Sequence, residues 1–133
     1  MTIQIKQVSL DEVRHISRMA AKEILPFRES YAIYALKRDG EILGVASLFW
    51  PSKRIVRFAG GFVLPEYRGQ GYGLTLNEFR WNLVMSDPQY QNARYIDGYS
   101  KRPKWYLNKG FVAVRQFRET THVRYTVAVP GTL

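Results

Sequence analysis

Phe62-Val63-Leu64-Pro65-Glu66-Tyr67-Arg68-Gly69-Gln70-Gly71-Tyr72-Gly73 stands between two runs of different period. Upstream, Ile55 to Leu64 reads as a strand, and its Gly60-Gly61 pair marks a bulge or a close backbone approach. Downstream, Leu76, Phe79, Leu83 and Val84 recur at helical spacing over Leu74–Met85, and Asp87-Pro88 ends that helix. A strand that enters a glycine-rich turn and leaves as a helix builds an anion site. The glycines let the backbone turn tightly, and the first helical turn aims unpaired N–H groups and a partial positive charge at the guest. A phosphate or pyrophosphate is the natural occupant. No Gly-Lys-Ser/Thr follows the glycines, which excludes a Walker loop, and Gly69-Gln70-Gly71-Tyr72-Gly73 lacks the G-x-G-x-x-G spacing of a dinucleotide site.

Toward the N-terminus, Thr2 to Val8 alternates apolar and polar residues as an edge strand does. Ser9 and Glu12 form a capping box ahead of Val13, Ile16, Ala20 and Ile24, a helix that Pro26 stops. Tyr31–Leu36 and Ile42–Trp50 are the arms of a hairpin turned at Asp39-Gly40. Beyond the glycine loop and its helix come a strand at Tyr95–Tyr99, a short helix opened by Pro103 and closed by Gly110, and strands near Phe111–Phe117 and His122–Val129. Strands interleaved with helices after a hairpin imply one α+β layer structure around a mixed sheet.

The chain has 133 residues and a net charge of +9. Length predicts a single domain over residues 1–133. Residues 1–50 carry 7 basic against 6 acidic side chains, and residues 51–133 carry 13 against 5. The excess therefore follows the hairpin and would attract an anion. Cysteine is absent, which removes disulfides, thiol nucleophiles and thiolate metal sites, and fits a cytoplasmic setting. No ligand cluster for a metal is legible. The most apolar stretch, Val45 to Trp50, is far short of the about 20 residues of a membrane span.

Arg68, Gly71 and Gly73 match the Arg/Gln-x-x-Gly-x-Gly/Ala pattern of the GNAT superfamily of N-acetyltransferases, and Tyr106-Leu107-Asn108-Lys109-Gly110-Phe111 resembles its Tyr-x-x-x-Gly-Phe signature. The resemblance covers essentially the whole chain. It implies a GNAT-like α+β fold: a mostly antiparallel mixed sheet flanked by helices, with splayed central strands. It also implies acetyl-CoA as acyl donor to an amine by direct attack. The backbone of Phe62, Val63 and Leu64 would pair with the pantetheine arm. The amides of Arg68, Gly69, Gln70, Gly71, Tyr72 and Gly73 would hold the pyrophosphate. Tyr106 would protonate the departing thiolate, a donor of pKa about 10 matched to its acceptor.

The sequence departs from the family pattern in two places. Phe58-Ala59-Gly60-Gly61 carries no glutamate where many relatives have a base, and Tyr99-Ser100-Lys101 replaces a familiar asparagine. Ser100 is the candidate for a cofactor hydrogen bond there. Asp97, Glu66 and His122 are the available titratable groups for a base, none of them assigned, and Asp97 reads better as a structural carboxylate. The glycine pair leaves the acceptor side uncrowded. With the basic second half, it points to an acceptor that is anionic or lies on a nucleic acid. The phage Mom-type enzymes, a GNAT-like group, modify adenine in DNA. A third reading is a degenerate fold that only binds nucleic acid or a protein.

Overall fold

Apolar side chains on both faces of the hairpin arms place them in the middle of a seven-stranded sheet. The computed structural model describes residues 2–128, so the predicted end of the last strand at Val129 lies outside the described residues. The strands are β1 (Ile3–Val8), β2 (Ala32–Arg38), β3 (Glu41–Phe49), β4 (Ile55–Val63), β5 (Tyr95–Ser100), β6 (Val112–Phe117) and β7 (Thr120–Thr126). Their order is β1-β2-β3-β4-β5-β7-β6. All neighbours run antiparallel except β4 and β5. A parallel pair needs a crossover, and here α2 (Tyr72–Ser86) supplies it. The other helices are α1 (Arg14–Ala20) and α3 (Lys104–Asn108). The mixed, mostly antiparallel α+β sheet is the expected fold.

The two sheet faces bury different sets. Ile33, Ala35, Val45 and Phe62 pack with Val13, Ile16 and Ala20 under α1. Leu36, Leu43 and Ala46 pack under Leu76 of α2, and Val56, Phe58 and Ile96 lie with Val84, Tyr106 and Phe111 beneath α2 and α3. The hairpin turn takes left-handed φ at Asp39 (53°) and Gly40 (85°), the backbone an Asp-Gly turn needs.

Two local expectations change. Ser9 Oγ accepts from the Glu12 N–H at 3.3 Å, but the chain enters through a 3-10 turn at Asp11–Val13 and becomes α-helical only at Arg14. The helix also ends at Ala20 rather than running to Pro26. The Ala20 carbonyl accepts from both Glu23 N–H (2.8 Å) and Ile24 N–H (2.9 Å), which tightens the last turn and carries Ile24 down onto Gly60.

Candidate active site

β4 and β5 part company half-way. Their pairing runs from Ile55↔Tyr95 to Phe58↔Gly98 and stops there, although β4 continues to Val63. The cause is the bulge expected at the glycine pair. Across it Ala46 pairs with Gly61 and Leu48 with Phe58, so Ser47 faces both Ala59 and Gly60. A bulge adds a residue and bends its strand. Side chains secure it: Ser47 Oγ donates to the Gly60 carbonyl at 3.0 Å, and Arg80 Nη1 donates to the carbonyls of Ser47 (3.0 Å) and Ala59 (2.9 Å).

The gap between the strands opens a cleft of about 1120 Å3, lined from the α1 side by Ile24 and Tyr31 and from the α2 side by Asn77 and Arg80. Phe62, Val63, Gly73, Ser100 and Tyr106 all line it. Leu64 packs instead with the α1-side core, and the loop from Arg68 to Gly71 is exposed beside the cleft. Gly60 does not open the acceptor side as the sequence suggests. A Cβ there would lie 3.1 Å from Ile24 Cδ1 and 3.3 Å from Phe27, so Gly60 makes room for the segment after α1.

Gly69 and Gly71 take φ of 81° and 88°, which turns the loop into the helix. Among the described residues, no carbonyl or side chain accepts from the N–H groups of Gly69, Gln70, Gly71, Tyr72, Gly73 and Leu74. The Arg68 N–H is turned back to the Pro65 carbonyl (3.3 Å). The Arg68 side chain is drawn across the cleft, with Nη2 2.9 Å from Glu23 Oε2 and Nε donating to the Val63 carbonyl at 2.8 Å. Six consecutive amides around a helix N-terminus can therefore receive an anion, and Arg68 closes the side of the strand that leads to them.

Tyr106 is buried at the inner end of the cleft. Phe58, Trp105 and Phe111 pack against its ring, with centroids 6.1, 5.1 and 5.1 Å away. Gly98 is its floor: a Cβ there would sit 2.7 Å from Tyr106 Cε1. Trp105 Nε1 and Lys109 Nζ both donate to Glu78, at 3.0 and 2.9 Å, which ties α3 to α2.

Arg80 is a site residue that the sequence reading missed. It is 3 % exposed, and Nη2 also donates to Asn77 Oδ1 at 2.5 Å. Burial pushes its pKa down, and the neighbouring Tyr106 hydroxyl works the other way. The available signal was spacing: Arg80 falls four residues after Leu76 and four before Val84, on the buried stripe of α2.

The candidate bases sit elsewhere. Glu66 is exposed, and Asp97 and His122 do not line the cleft. Burial by itself would raise the Asp97 pKa. Hydrogen bonds from Arg124 (2.7 and 2.9 Å) and His122 (3.1 Å) outweigh it and hold the carboxyl below its ordinary range. That is a satisfied structural carboxylate. Among the described residues no cluster of His, Asp or Glu could hold a metal ion, and no helix is long and apolar enough to cross a membrane.

A family model described as "Acetyltransferase (GNAT) family" matches residues 3–79, more than half of the chain. The chain belongs to the GNAT acetyltransferase family. Acetyl transfer is the activity of that family, and its enzymes use acetyl-CoA. Among curated proteins nothing matches the sequence. Solved structures share the fold at low identity. The ribosomal-protein-S18-alanine N-acetyltransferase of Escherichia coli superposes with a TM-score of 0.73 at 12% identity, over 99% of each chain. Spermidine N-acetyltransferase of Vibrio cholerae gives 0.69 at 15%, over 93% of each. N-acetylglutamate synthase of Neisseria gonorrhoeae, complexed with coenzyme A and N-acetyl-glutamate, gives 0.70 at 16%, over 97% of this chain and 36% of that one.

Proposed function

We propose that this GNAT chain, one domain over residues 1–133, is an N-acetyltransferase that moves an acetyl group from acetyl-CoA to an amine by direct attack. The observation that carries the reading is the run of unpartnered N–H groups from Gly69 to Leu74, beside a strand edge that has lost its neighbour. A pyrophosphate satisfies the first and a pantetheine amide the second. In this reading the amides of Gly69 through Gly73 hold the phosphates, the Arg68 amide staying with the Pro65 carbonyl, and the backbone of Phe62, Val63 and Leu64 pairs with the arm. Ser100, whose Oγ accepts from the Arg102 N–H at 3.0 Å, closes the far wall. Arg68 Nε gives up the Val63 carbonyl as the arm takes its place.

The acceptor nitrogen then forms a bond to the thioester carbon as the carbon–sulfur bond breaks, and the electron pair stays on sulfur. Tyr106 passes its hydroxyl proton to that sulfur. Holding amine and thioester together supplies much of the rate. Among the described residues Glu23 is the only carboxylate lining the cleft and is paired with Arg68, so the amine releases its surplus proton to solvent through the open mouth. The cysteine-free composition supports a cytoplasmic setting.

Titration calorimetry with acetyl-CoA and with CoA tests the reading. Saturable binding of both is expected. A module that only binds nucleic acid or protein gives no heat with either, and that result refutes the proposal.

A further inference from the structure

One arginine of the cleft, Arg57, is partly buried without a hydrogen-bond acceptor among the described residues. Arg57 lies on β4 next to Phe58, and the strand pleat turns the two side chains to opposite faces of the sheet. Phe58 goes to the α2 and α3 side, with Tyr106. Arg57 goes to the α1 side, where its guanidinium lies over the Tyr99 ring at 5.0 Å and lines the cleft. It is half-buried, its Nε is fully enclosed, and among the described residues it makes no hydrogen bond and no ion pair.

The neighbouring carboxylates are already taken. Asp97 is the register partner of Arg57 across β5, yet its oxygens go to Arg124 and His122. Glu23 goes to Arg68. Arg80, the fully buried arginine of the cleft, spends both Nη atoms on Ser47, Ala59 and Asn77. Lys22, Lys101 and Arg102, exposed and without an ion pair among the described residues, add positive charge to the lining. A guanidinium taken partly out of water without an acceptor is unfavourable, and an oxyanion that meets its fork in two parallel hydrogen bonds relieves it.

The loop of free amides leads into α2, whereas Arg57 lines the cleft from the α1 side of the sheet. We propose that the acceptor is an anionic amine, whose carboxylate or phosphate is held by Arg57 while its nitrogen faces the thioester in the gap. The inference rests on the acetyl-CoA reading above and names the substrate class of the same cleft.

The test compares matched amines with the acetyl-CoA-loaded enzyme: phosphoethanolamine against ethanolamine, β-alanine against its amide, spermidine as a polycation, and a short single-stranded oligonucleotide as a polymer of phosphates. Products are read by mass spectrometry. The anionic member of each pair is expected to win in kcat/KM by roughly 10- to 100-fold, the range of a hydrogen bond to a charged group. Arg57→Gln should erase that preference, bringing the kcat/KM of each anionic member to that of its neutral partner, while Arg57→Lys, which keeps the charge and loses the fork, should keep part of it. If the oligonucleotide is the preferred acceptor, and Arg57→Gln removes that preference, backbone phosphate is the source of the anion. A readout free of turnover is the Arg57 Nε–Hε resonance, which inorganic phosphate should shift in the CoA complex.

Equal use of ethanolamine or spermidine overturns the inference. So does an Arg57→Gln enzyme that keeps the anionic preference, or a panel in which no amine is acetylated. In each case intact acetyl-CoA binding shows that the cofactor reading survives. Loss of acetyl-CoA binding by the wild-type chain ends both.

Discussion

Replacing Gly98 by alanine tests the position of Tyr106 without touching its hydroxyl. The new methyl would lie 2.7 Å from Tyr106 Cε1, 3.0 Å from Cζ and 3.3 Å from Cδ1. Carbon atoms settle at about 3.5–4.0 Å, so the ring must withdraw by roughly 1 Å. It has little freedom to do so, because Phe58, Trp105 and Phe111 enclose it on the other sides. Overpacking of this kind costs about 1–3 kcal/mol. A shift of about 1 Å in a reacting group lowers the rate by roughly 100-fold. The assay follows the free thiol of CoA with Ellman's reagent, and a chain without cysteine contributes no background. Expected are a kcat down by about 10- to 100-fold and an acetyl-CoA affinity within a few-fold of wild type. The melting temperature should fall by several degrees. The decisive control is Gly98→Ala combined with Tyr106→Phe, which should be no slower than Tyr106→Phe alone, since both changes remove the same proton transfer. Full activity in Gly98→Ala, or strictly multiplicative losses in the double variant, would refute the placement of Tyr106 at the thioester.

Tyr106→Phe itself should lower kcat by roughly 10- to 1000-fold with calorimetric acetyl-CoA binding retained, and an unchanged kcat removes Tyr106 from its role. Gly71→Glu puts a side chain at φ 88° and a carboxylate beside the loop amides, so acetyl-CoA binding should vanish, and normal affinity would sink the loop assignment. Asp97→Asn leaves Arg124 and His122 without their charged partner. It should destabilise the protein by about 2–3 kcal/mol at pH 7, under the 3–5 of a fully enclosed pair because Arg124 is partly open to water. Because the folded Asp97 pKa is lowered, its contribution is complete above the ordinary value of about 3.9 and fades as pH falls through the folded one. Urea unfolding of both proteins should therefore show a gap that narrows on going from pH 7 to pH 3, and a constant gap would contradict the sign.

Much of this molecule is local in origin. Alternation over Ile3–Val8, the apolar run around Gly60-Gly61, the Asp-Gly turn, and the glycines ahead of α2 each act within a few residues, so their consequences can be read along the chain. The chemistry of the loop was legible for the same reason: N–H groups at a helix start lack partners whatever the rest of the fold does. Helix α1 shows the limit. Its periodicity runs to Ile24, yet the helix stops at Ala20 because Ile24 has a place to go on Gly60, thirty-odd residues away in sequence. Gly60-Gly61 announced a bulge, but not that Arg80 and Ser47 would hold it.

By itself, then, the sequence determined the order of elements, the anion-binding loop and the two motifs that mark the family, because each is carried by near neighbours. Tertiary structure alone decided which charges are in use. Asp97 and Arg57 are register partners on adjacent strands, and only packing assigns the carboxylate to Arg124 and His122 and leaves Arg57 free in the cleft. Spacing sets Arg80 on the buried stripe of α2, but only the packing of α2 against β4 decides that it holds the carbonyls of Ser47 and Ala59. Ionic partners are chosen by distances of a few ångströms between residues far apart in the chain, and the linear order does not contain those distances.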